Sequence, residues 1–307
     1  MPEDKNILKT DQGSAKKEAT SGKTSSKAKN EPVLTPREEM SEFAKTIVIA
    51  VVLAIIIRTF LYEPFNIPSG SMKPTLLIGD YLFVQKYAYG YSRHSFPFGL
   101  APIEGRVWEK APQRGDVTVF KLPTNTGIDY IKRVVGLPGD TIQMRGGRLY
   151  INGTVTQRES LGMRMVDDEF RGKVPMQEYI ETLPNGISYH IYEETDDRPL
   201  DSTDIFIVPE DHYFVMGDNR DNSLDSRAVN GVGFVPAELL VGKADFLFFS
   251  TNGHASLLEP WKWPWTIRYD RLFSKIQADD SDSDSEIDSD SNNQQSQSGY
   301  SDHSDAR

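Results

Sequence analysis

The stretch Tyr130-Ile131-Lys132-Arg133-Val134-Val135-Gly136-Leu137-Pro138-Gly139-Asp140 decides the fold class. It begins as an apolar run with β-branched residues, which is typical of a strand. It ends in Pro138-Gly139-Asp140, which is typical of a turn. On a strand, Tyr130, Lys132 and Val134 share one face. Lys132 therefore has apolar neighbours on its own face, and we expect it to lie inside a sheet.

Similar short runs recur on both sides of this stretch. Asn152-Gly153 and Asn185-Gly186 are typical of hairpin turns, and the further strand-like runs are Tyr81–Val84, Asp116–Phe120, Leu149–Ile151, Ile205–Val208, Tyr213–Met216 and Ala244–Phe249. Many short strands separated by turns predict a mainly β fold. We expect a folded antiparallel, barrel-like sheet that carries a β insertion, preceded by one N-terminal transmembrane helix.

The helix is predicted by the segment from Phe43 to Tyr62, FAKTIVIAVVLAIIIRTFLY. Its strictly apolar part is short, but Lys45 and Arg58 lie near the ends, where their side chains can reach lipid head groups. The full segment can then span ~30 Å of hydrocarbon. No small-residue cleavage site follows, so a retained anchor is favoured over a removed signal or a soluble core helix.

Composition and charge limit the classes of function. The chain has 307 residues, no cysteine and a net charge of −11. Without cysteine it has no disulfides and no thiolate nucleophile. The acidic balance argues against nucleic-acid binding, which needs a basic footprint.

The changes in composition divide the chain. We expect a disordered cytoplasmic tail at 1–42, a transmembrane helix at 43–62, a β domain at 63–154 and 205–275, an inserted β subdomain at 155–204 and a disordered acidic Ser/Asp tail at 276–307. The alternation of Asp and Ser in this tail lacks the glycine and the terminal glutamate of an EF-hand loop, so a solvated tail is favoured over a calcium site.

A serine lies in a dense motif just after the helix, Ile67-Pro68-Ser69-Gly70-Ser71-Met72-Lys73-Pro74-Thr75-Leu76. A serine hydroxyl needs a general base nearby to act as a nucleophile. A buried lysine can serve, because burial lowers the pKa of its amine. Ser71 and Lys132 together therefore predict a hydrolase that uses an amine base, although either residue alone is more often an ordinary turn serine or a surface lysine.

A third dense motif begins where a strand ends, Met216-Gly217-Asp218-Asn219-Arg220-Asp221-Asn222-Ser223-Leu224-Asp225-Ser226-Arg227. Its simplest interpretation is a structural turn held by Asp/Arg pairs. We expect Asp218, Arg220, Asp225 and Arg227 to brace the site and Ser223 to orient the lysine amine.

These motifs resemble the signature boxes of bacterial type I signal peptidases, also called leader peptidases. The run from Glu63 to Met72 is similar to the nucleophile box, and Gly79-Asp80-Tyr81-Leu82-Phe83-Val84 is similar to the next box. The lysine and Gly-Asp-Asn-Arg boxes follow in the family's order. The resemblance covers roughly residues 43–152 and 205–250. Many members have two spans, whereas this sequence shows one.

The resemblance implies roles for individual residues. Ser71 would be the acylating nucleophile and Lys132 the general base, without a metal or cofactor. The Ser69 hydroxyl and the Ser71 N–H would form the oxyanion hole, and Ser223 would orient the amine. Apolar pockets for small residues at positions −1 and −3 of a preprotein would be lined by Phe65, Ile67, Met72, Leu76, Tyr130 and Ile131.

The resemblance also implies partners and a location. The substrates would be secretory preproteins with signal peptides, and the lipid bilayer and the secretion translocon would be further partners, with no nucleic acid. Eight Lys/Arg precede the span, which places the N-terminus in the cytoplasm. The protein would then be a single-pass protein of the bacterial inner membrane with its β domain on the outer side. Trp261-Lys262-Trp263-Pro264-Trp265 fits either a membrane contact or packing on the sheet.

Four alternatives remain at this level. A histidine-dependent serine hydrolase would have to use His212, the one histidine in a dense motif. The second alternative is a membrane-anchored β domain that only binds partners, without catalysis. A self-cleaving serine–lysine regulator of the repressor type is soluble, so the anchor argues against it. An organellar processing peptidase would need an acid-poor transit peptide, whereas residues 1–42 carry eight Asp/Glu.

Overall fold

The computed structural model describes residues 35–96, 102–276 and 279–280. The expected tails before residue 35 and beyond residue 280 lie outside these ranges. The chain divides into two units, one ending at Ile49 and one beginning at Ala50. The first holds the N-terminal part of a helix, and the second holds the β structure and the site.

The N-terminal helix α1 (Pro36–Phe60) begins earlier than the expected Phe43. Thr35 caps it, because its Oγ1 accepts the Glu38 N–H at 3.4 Å and Glu38 Oε2 accepts the Thr35 N–H at 2.8 Å. Residues 36–42, assigned above to a flexible tail, are therefore helical. Among the described residues, α1 is the one helix long and apolar enough to cross a membrane.

The rest of the described chain is mainly β, with a single further α-helical turn, α2 (Trp263–Thr266). The strands are β1 (Tyr62–Asn66), β2 (Asp80–Gln85), β3 (Tyr91–Ser92), β4 (Arg106–Val107), β5 (Val117–Leu122), β6 (Asn125–Gly136), β7 (Thr141–Arg145), β8 (Arg148–Ile151), β9 (Thr154–Val155), β10 (Gln157–Asp168), β11 (Gly172–Thr182), β12 (Ile187–Glu193), β13 (Phe206–Ile207), β14 (His212–Met216), β15 (Val235–Pro236), β16 (Leu240–Ser250) and β17 (Asp279–Asp280). The mainly β fold class is confirmed.

The largest sheet has seven antiparallel strands in the order β1-β2-β16-β5-β6-β14-β15. Two four-stranded sheets, β10-β11-β12-β17 and β13-β7-β8-β9, and the small pair β3-β4 complete the described strands. The Asn152-Gly153 turn joins β8 to β9, and both residues have the positive φ that a tight hairpin requires. Long β10 and β11 form one hairpin whose tip, residues 167–171, contacts the loop after β1.

Strand β6 positions the centre of the site. Over its second half it is paired on both sides, because Val117 of β5 and Met216 of β14 both lie opposite Arg133. From Lys132 back toward Asn125, β6 pairs with β5 alone among the described residues. The described part of the fold thus leaves one edge of β6 without a strand, next to the loop that carries Ser71.

Candidate active site

The loop between β1 and β2 carries Ser71 and is held by the loop after β14. The Asn219 N–H donates to the Ser71 carbonyl oxygen at 3.0 Å, and Asn219 Nδ2 donates to the Gly70 carbonyl oxygen at 3.0 Å. Ser71 itself is only 9% exposed. Two bonds from one asparagine therefore fix the backbone on which the hydroxyl is mounted.

Lys132 reaches this hydroxyl from strand β6. Its Nζ lies 2.7 Å from Ser71 Oγ and 3.0 Å from the carbonyl oxygen of Ile131, and the side chain is 3% exposed. The ring of Tyr130 lies beside the amine, with its centroid 5.3 Å from Nζ. The structure thus brings together the two residues that the sequence motifs single out, across 61 positions of the chain.

Burial lowers the pKa of Lys132 to about 8, although the negative charges of Asp225 and Asp218 oppose this change. An ammonium group is expensive to keep in a site without water, and the two carboxylates are each engaged by an arginine. A substantial fraction of the amine is therefore neutral near pH 8. A neutral amine at hydrogen-bond distance from a hydroxyl can accept its proton.

The predicted bracing carboxylates lie directly beneath this pair. Asp218 accepts two hydrogen bonds from Arg133, from Nε at 2.8 Å and from Nη2 at 2.7 Å. Asp225 accepts Arg227 Nε and Nη2, both at 2.9 Å, and also the Gly217 N–H at 3.0 Å. These buried carboxylates are each bound in a fork by a guanidinium group, which fixes the end of β14.

Arg220 pairs with a glutamate outside its motif and not with one of the aspartates of the motif. Its guanidinium group binds both carboxylate oxygens of Glu181 on β11 and contacts the hydroxyl of Tyr189 on β12. Both charged side chains are fully buried. Arg220 therefore joins the loop after β14 to the sheet of β10–β12 rather than touching Ser71.

Ser223 lies at the site, but it does not hydrogen-bond Lys132 among the described contacts. It is buried, and it packs against Gly217 so closely that a Cβ there would lie 2.2 Å from Ser223 Oγ and 2.5 Å from the Ser71 carbonyl oxygen. Its expected role in orienting the amine stays a prediction. The close packing explains why glycine is needed at the end of β14.

The residues of the two expected oxyanion-hole groups line the same cleft. Ser69 is exposed and lines it together with Gly70 and Ser71. Within the part of the chain that the structure describes, the Ser71 N–H makes no backbone hydrogen bond. The role of both groups as oxyanion donors stays a prediction.

The expected pocket residues differ in depth. Phe65, Tyr130 and Ile131 are partly buried, whereas three others belong to the core beneath β1 and β2: Ile67, Met72 and Leu76. The first three can touch a bound peptide, and the core residues can only form the floor beneath it. His212 lies at the start of β14, at the opposite end of the strand from Gly217. Its Nδ1 lies 2.7 Å from the carbonyl oxygen of Glu210.

The sequence analysis gave no role to three residues that support the site. Arg133 binds Asp218, and Asn219 holds the carbonyl oxygen of Gly70. Glu169 accepts the Gly70 N–H at 2.5 Å. For Arg133 a signal existed, because an arginine inside an apolar run needs a buried acidic partner. Glu169 had none, since it lies 99 positions from its partner in a polar segment.

Comparison with known proteins shows which family this chain resembles. The family profile described as signal peptidase, peptidase S26, matches residues 40–249. Signal peptidase I of Rickettsia conorii is 39% identical over 266 residues, which cover 80% of this chain and 96% of the relative. Signal peptidase I of Rickettsia typhi is 40% identical over 265 residues, with the same coverage of 80% and 96%.

Among solved structures, a signal peptidase I from Enterococcus faecalis V583 matches 44% of this chain and 97% of its own, with 29% sequence identity and a TM-score of 0.26. That score is too low to bear on the fold. The family profile and the two curated relatives agree, and the range that the profile matches includes the serine, lysine and Gly-Asp-Asn-Arg motifs of this chain. The chain therefore belongs to the signal peptidase I family, serine endopeptidases that remove signal peptides from preproteins.

Proposed function

We propose that this chain cleaves signal peptides through an acyl-enzyme formed on Ser71, with Lys132 as the general base. The observation that carries the proposal is the distance of 2.7 Å between Lys132 Nζ and Ser71 Oγ inside a buried site. The neutral amine takes the hydroxyl proton while Oγ attacks the scissile carbonyl carbon. The resulting ammonium then gives this proton to the leaving amine.

The negative oxygen of the tetrahedral intermediate is stabilised by two donors. These are the Ser69 hydroxyl, two positions before the nucleophile in the chain, and the N–H of Ser71 itself. Water attacks the acyl-enzyme in the second half of the reaction, with Lys132 again as the base. The loss of one such donor commonly lowers the rate by ~10²–10³.

The substrate lies extended along the free edge of β6, with its residues −1 and −3 against the apolar surface of Phe65, Tyr130 and Ile131. These side chains are partly buried, and the core floor beneath them leaves no deep pocket. A shallow apolar surface favours small side chains. Main-chain hydrogen bonds to an unpaired strand edge would hold the peptide regardless of its sequence.

The experiment is the cleavage of a preprotein with an Ala-X-Ala site by the full chain in detergent. Wild type should cleave it, and Ser71→Ala and Lys132→Ala should reduce the rate to background. Ser69→Ala should retain activity reduced by ~10²–10³. Lys243→Ala is the matched control, because this lysine lies on β16, two strands away from β6 in the same sheet, and pairs with Asp116. Full activity in either dyad variant would refute the mechanism.

We further propose that α1 is a retained anchor with the N-terminus in the cytoplasm and the β structure outside, close to the translocon. The helix has the length and apolarity for a span, and eight Lys/Arg precede it. Residues 63–154 and 205–275 would form the catalytic domain and 155–204 its inserted subdomain. Protease added to intact spheroplasts should digest the β structure and spare the N-terminal segment; the reverse pattern would contradict this orientation.

A further inference from the structure

The hairpin of β10 and β11 contacts the loop that carries the nucleophile. Glu169 Oε1 accepts the Gly70 N–H at 2.5 Å, and the carbonyl oxygen of Asp167 accepts Lys73 Nζ at 2.5 Å. These bonds come from the hairpin tip to both sides of Ser71. The tip is therefore part of the surroundings of the reacting serine.

A cleft of about 170 Å³ lies between the tip and the loop. Ser71 lines it from one side, and Asp167 and Glu169 line it from the other. Its wall also includes polar and apolar side chains: Asn219, Asn222, Val166, Phe170 and Met176. Because the nucleophile itself lines the cleft, a peptide bound for cleavage must enter it or pass its mouth.

Different residues line the cleft and the expected apolar pocket. Phe65, Tyr130 and Ile131 belong to the clusters beneath β1 and β6, and none of them lines the cleft. The small residues before the scissile bond need these apolar side chains under the proposed function. The cleft, which Ser71 also lines, then remains for the residues after the scissile bond, which begin the mature protein.

The charge of the tip is available to a ligand. Asp168 is paired with Arg171, but neither Asp167 nor Glu169 forms an ion pair within the described ranges, and both are exposed. The one cation that lines the cleft, Lys73, donates to a backbone carbonyl and is only 8% exposed. Three carboxylates and the ammonium group of Lys73 line the cleft, so its charge is negative on balance next to the point where cleavage produces a new amino group.

We propose that the hairpin tip forms a leaving-group subsite that favours lysine or arginine in the first positions of the mature protein. Asp167 and Glu169 are its specificity-determining residues. The inference rests on the proposed function, since it takes Ser71 as the nucleophile. Exposed ion pairs are weak, so the preference for a basic over a neutral residue should be about two- to fivefold in kcat/KM. An acidic residue should be disfavoured by a similar factor.

The test compares three preproteins that differ only at positions +2 and +3, which carry Lys-Lys, Gln-Gln or Glu-Glu after the same Ala-X-Ala site. The full chain in detergent is assayed as wild type and as Asp167→Asn/Glu169→Gln. Both changes remove charge while keeping the side-chain oxygen, and Lys73 binds the backbone of Asp167, so the hairpin contacts remain possible. Glu159→Gln on the same β10 strand is the control, because this exposed residue does not line the cleft.

For wild type and Glu159→Gln we expect the order Lys-Lys, then Gln-Gln, then Glu-Glu, with the differences shrinking as salt rises. The double variant should cleave all three at similar rates. Equal rates in wild type, with Gln-Gln still cleaved in a Ser71-dependent manner, would overturn the subsite alone. An unchanged order in the double variant would also overturn it. If wild type cleaved none of the three, the proposed function would fail and the subsite with it.

Discussion

Lys132 is the residue whose protonation should control the rate. Burial holds the pKa of its amine at about 8, and the amine can accept a proton only when it is neutral. Below pH 8 the neutral fraction falls tenfold for each pH unit, so kcat/KM should fall with it and should level off above pH 8. The measurement is the pH profile of cleavage at low substrate concentration. A limb near pH ~10.4 would indicate a solvated lysine and contradict the assignment.

The same burial should cost stability. Below pH 8 the amine is charged in both states, but only the unfolded state hydrates it, which disfavours folding by about 3 kcal/mol. This penalty decreases between pH 8 and the ordinary lysine pKa of 10.5 and vanishes above it. Lys132→Met should therefore raise the free energy of unfolding at pH 7 by about 2–3 kcal/mol and have no effect near pH 10.5.

The measurement is the free energy of unfolding of wild type and Lys132→Met by denaturant in detergent, at pH 7 and near pH 10.5. Lys243→Met is the control, because the Lys243 side chain is 40% exposed and gains nothing from losing its charge. Equal stability of wild type and Lys132→Met at pH 7 would mean that the amine is not penalised in the folded state.

The sequence was sufficient to find Ser71 and Lys132, because each lies in a dense local motif. It was not sufficient for the environment of the pair. The Arg133–Asp218 contact spans 85 positions and the Gly70–Glu169 contact 99, and no local spacing encodes either. Ser223 shows the converse: its motif placed it at the site, but the hydrogen bond expected for it is not among the described contacts.

At the level of elements, the end of β14 is the closest-packed point of the site. A Cβ on Gly217 would overlap Ser223 Oγ and the Ser71 carbonyl oxygen, so Gly217→Ala must move the strand end or the nucleophile. We expect a loss of at least about tenfold in kcat/KM, by displacement of the reacting groups, and about 1–3 kcal/mol of stability, typical of overpacking.

Gly127→Ala is the matched control for this change. Gly127 lies in β6 and, like Gly217, has no positive φ, and its Cβ would meet only the Asn125 side chain, at 3.2 Å. Cleavage assays and thermal unfolding of both variants separate the effects. A fully active Gly217→Ala enzyme would show that the strand end adapts and that its packing does not position the serine.

The sequence predicted most strand positions but not how the strands are grouped. Apolar runs located β2, β5, β8, β14 and β16 to within a few residues. Their order in the sheet follows from long-range pairing, which periodicity does not record. The start of α1 was placed too late, because the apolar pattern begins at Phe43 while the capping box with Thr35 begins the helix at Pro36.

At the scale of the whole molecule, the sheet of β10–β12 is joined to the active-site loop by a buried ion pair. Glu181→Gln would leave the guanidinium group of Arg220 buried without a countercharge, and we expect a loss of about 3–5 kcal/mol. The double variant Glu181→Leu/Arg220→Met should recover most of this loss, since it buries no charge at all.

Unfolding measurements on the single and double variants test this coupling. Activity is a second readout, because Arg220 adjoins Asn219, which clamps Ser71. Arg164→Gln serves as a surface control, since the Arg164–Glu178 pair also involves a glutamate of β11 but has an arginine side chain that is 59% exposed. If the double variant were no more stable than Glu181→Gln, the ion pair would be a net source of stability.

The clamp that Asn219 places on Ser71 has a consequence for the timing of synthesis. Ser71 and Lys132 leave the ribosome early, but the residue that fixes the backbone of the serine follows 148 positions later. A nascent chain that ends before Asn219 has the proposed nucleophile and base without the scaffold that aligns them. Under the proposed mechanism, the unfinished enzyme would be unable to cut other nascent chains, and proteolysis would begin only after Asn219 has been synthesised.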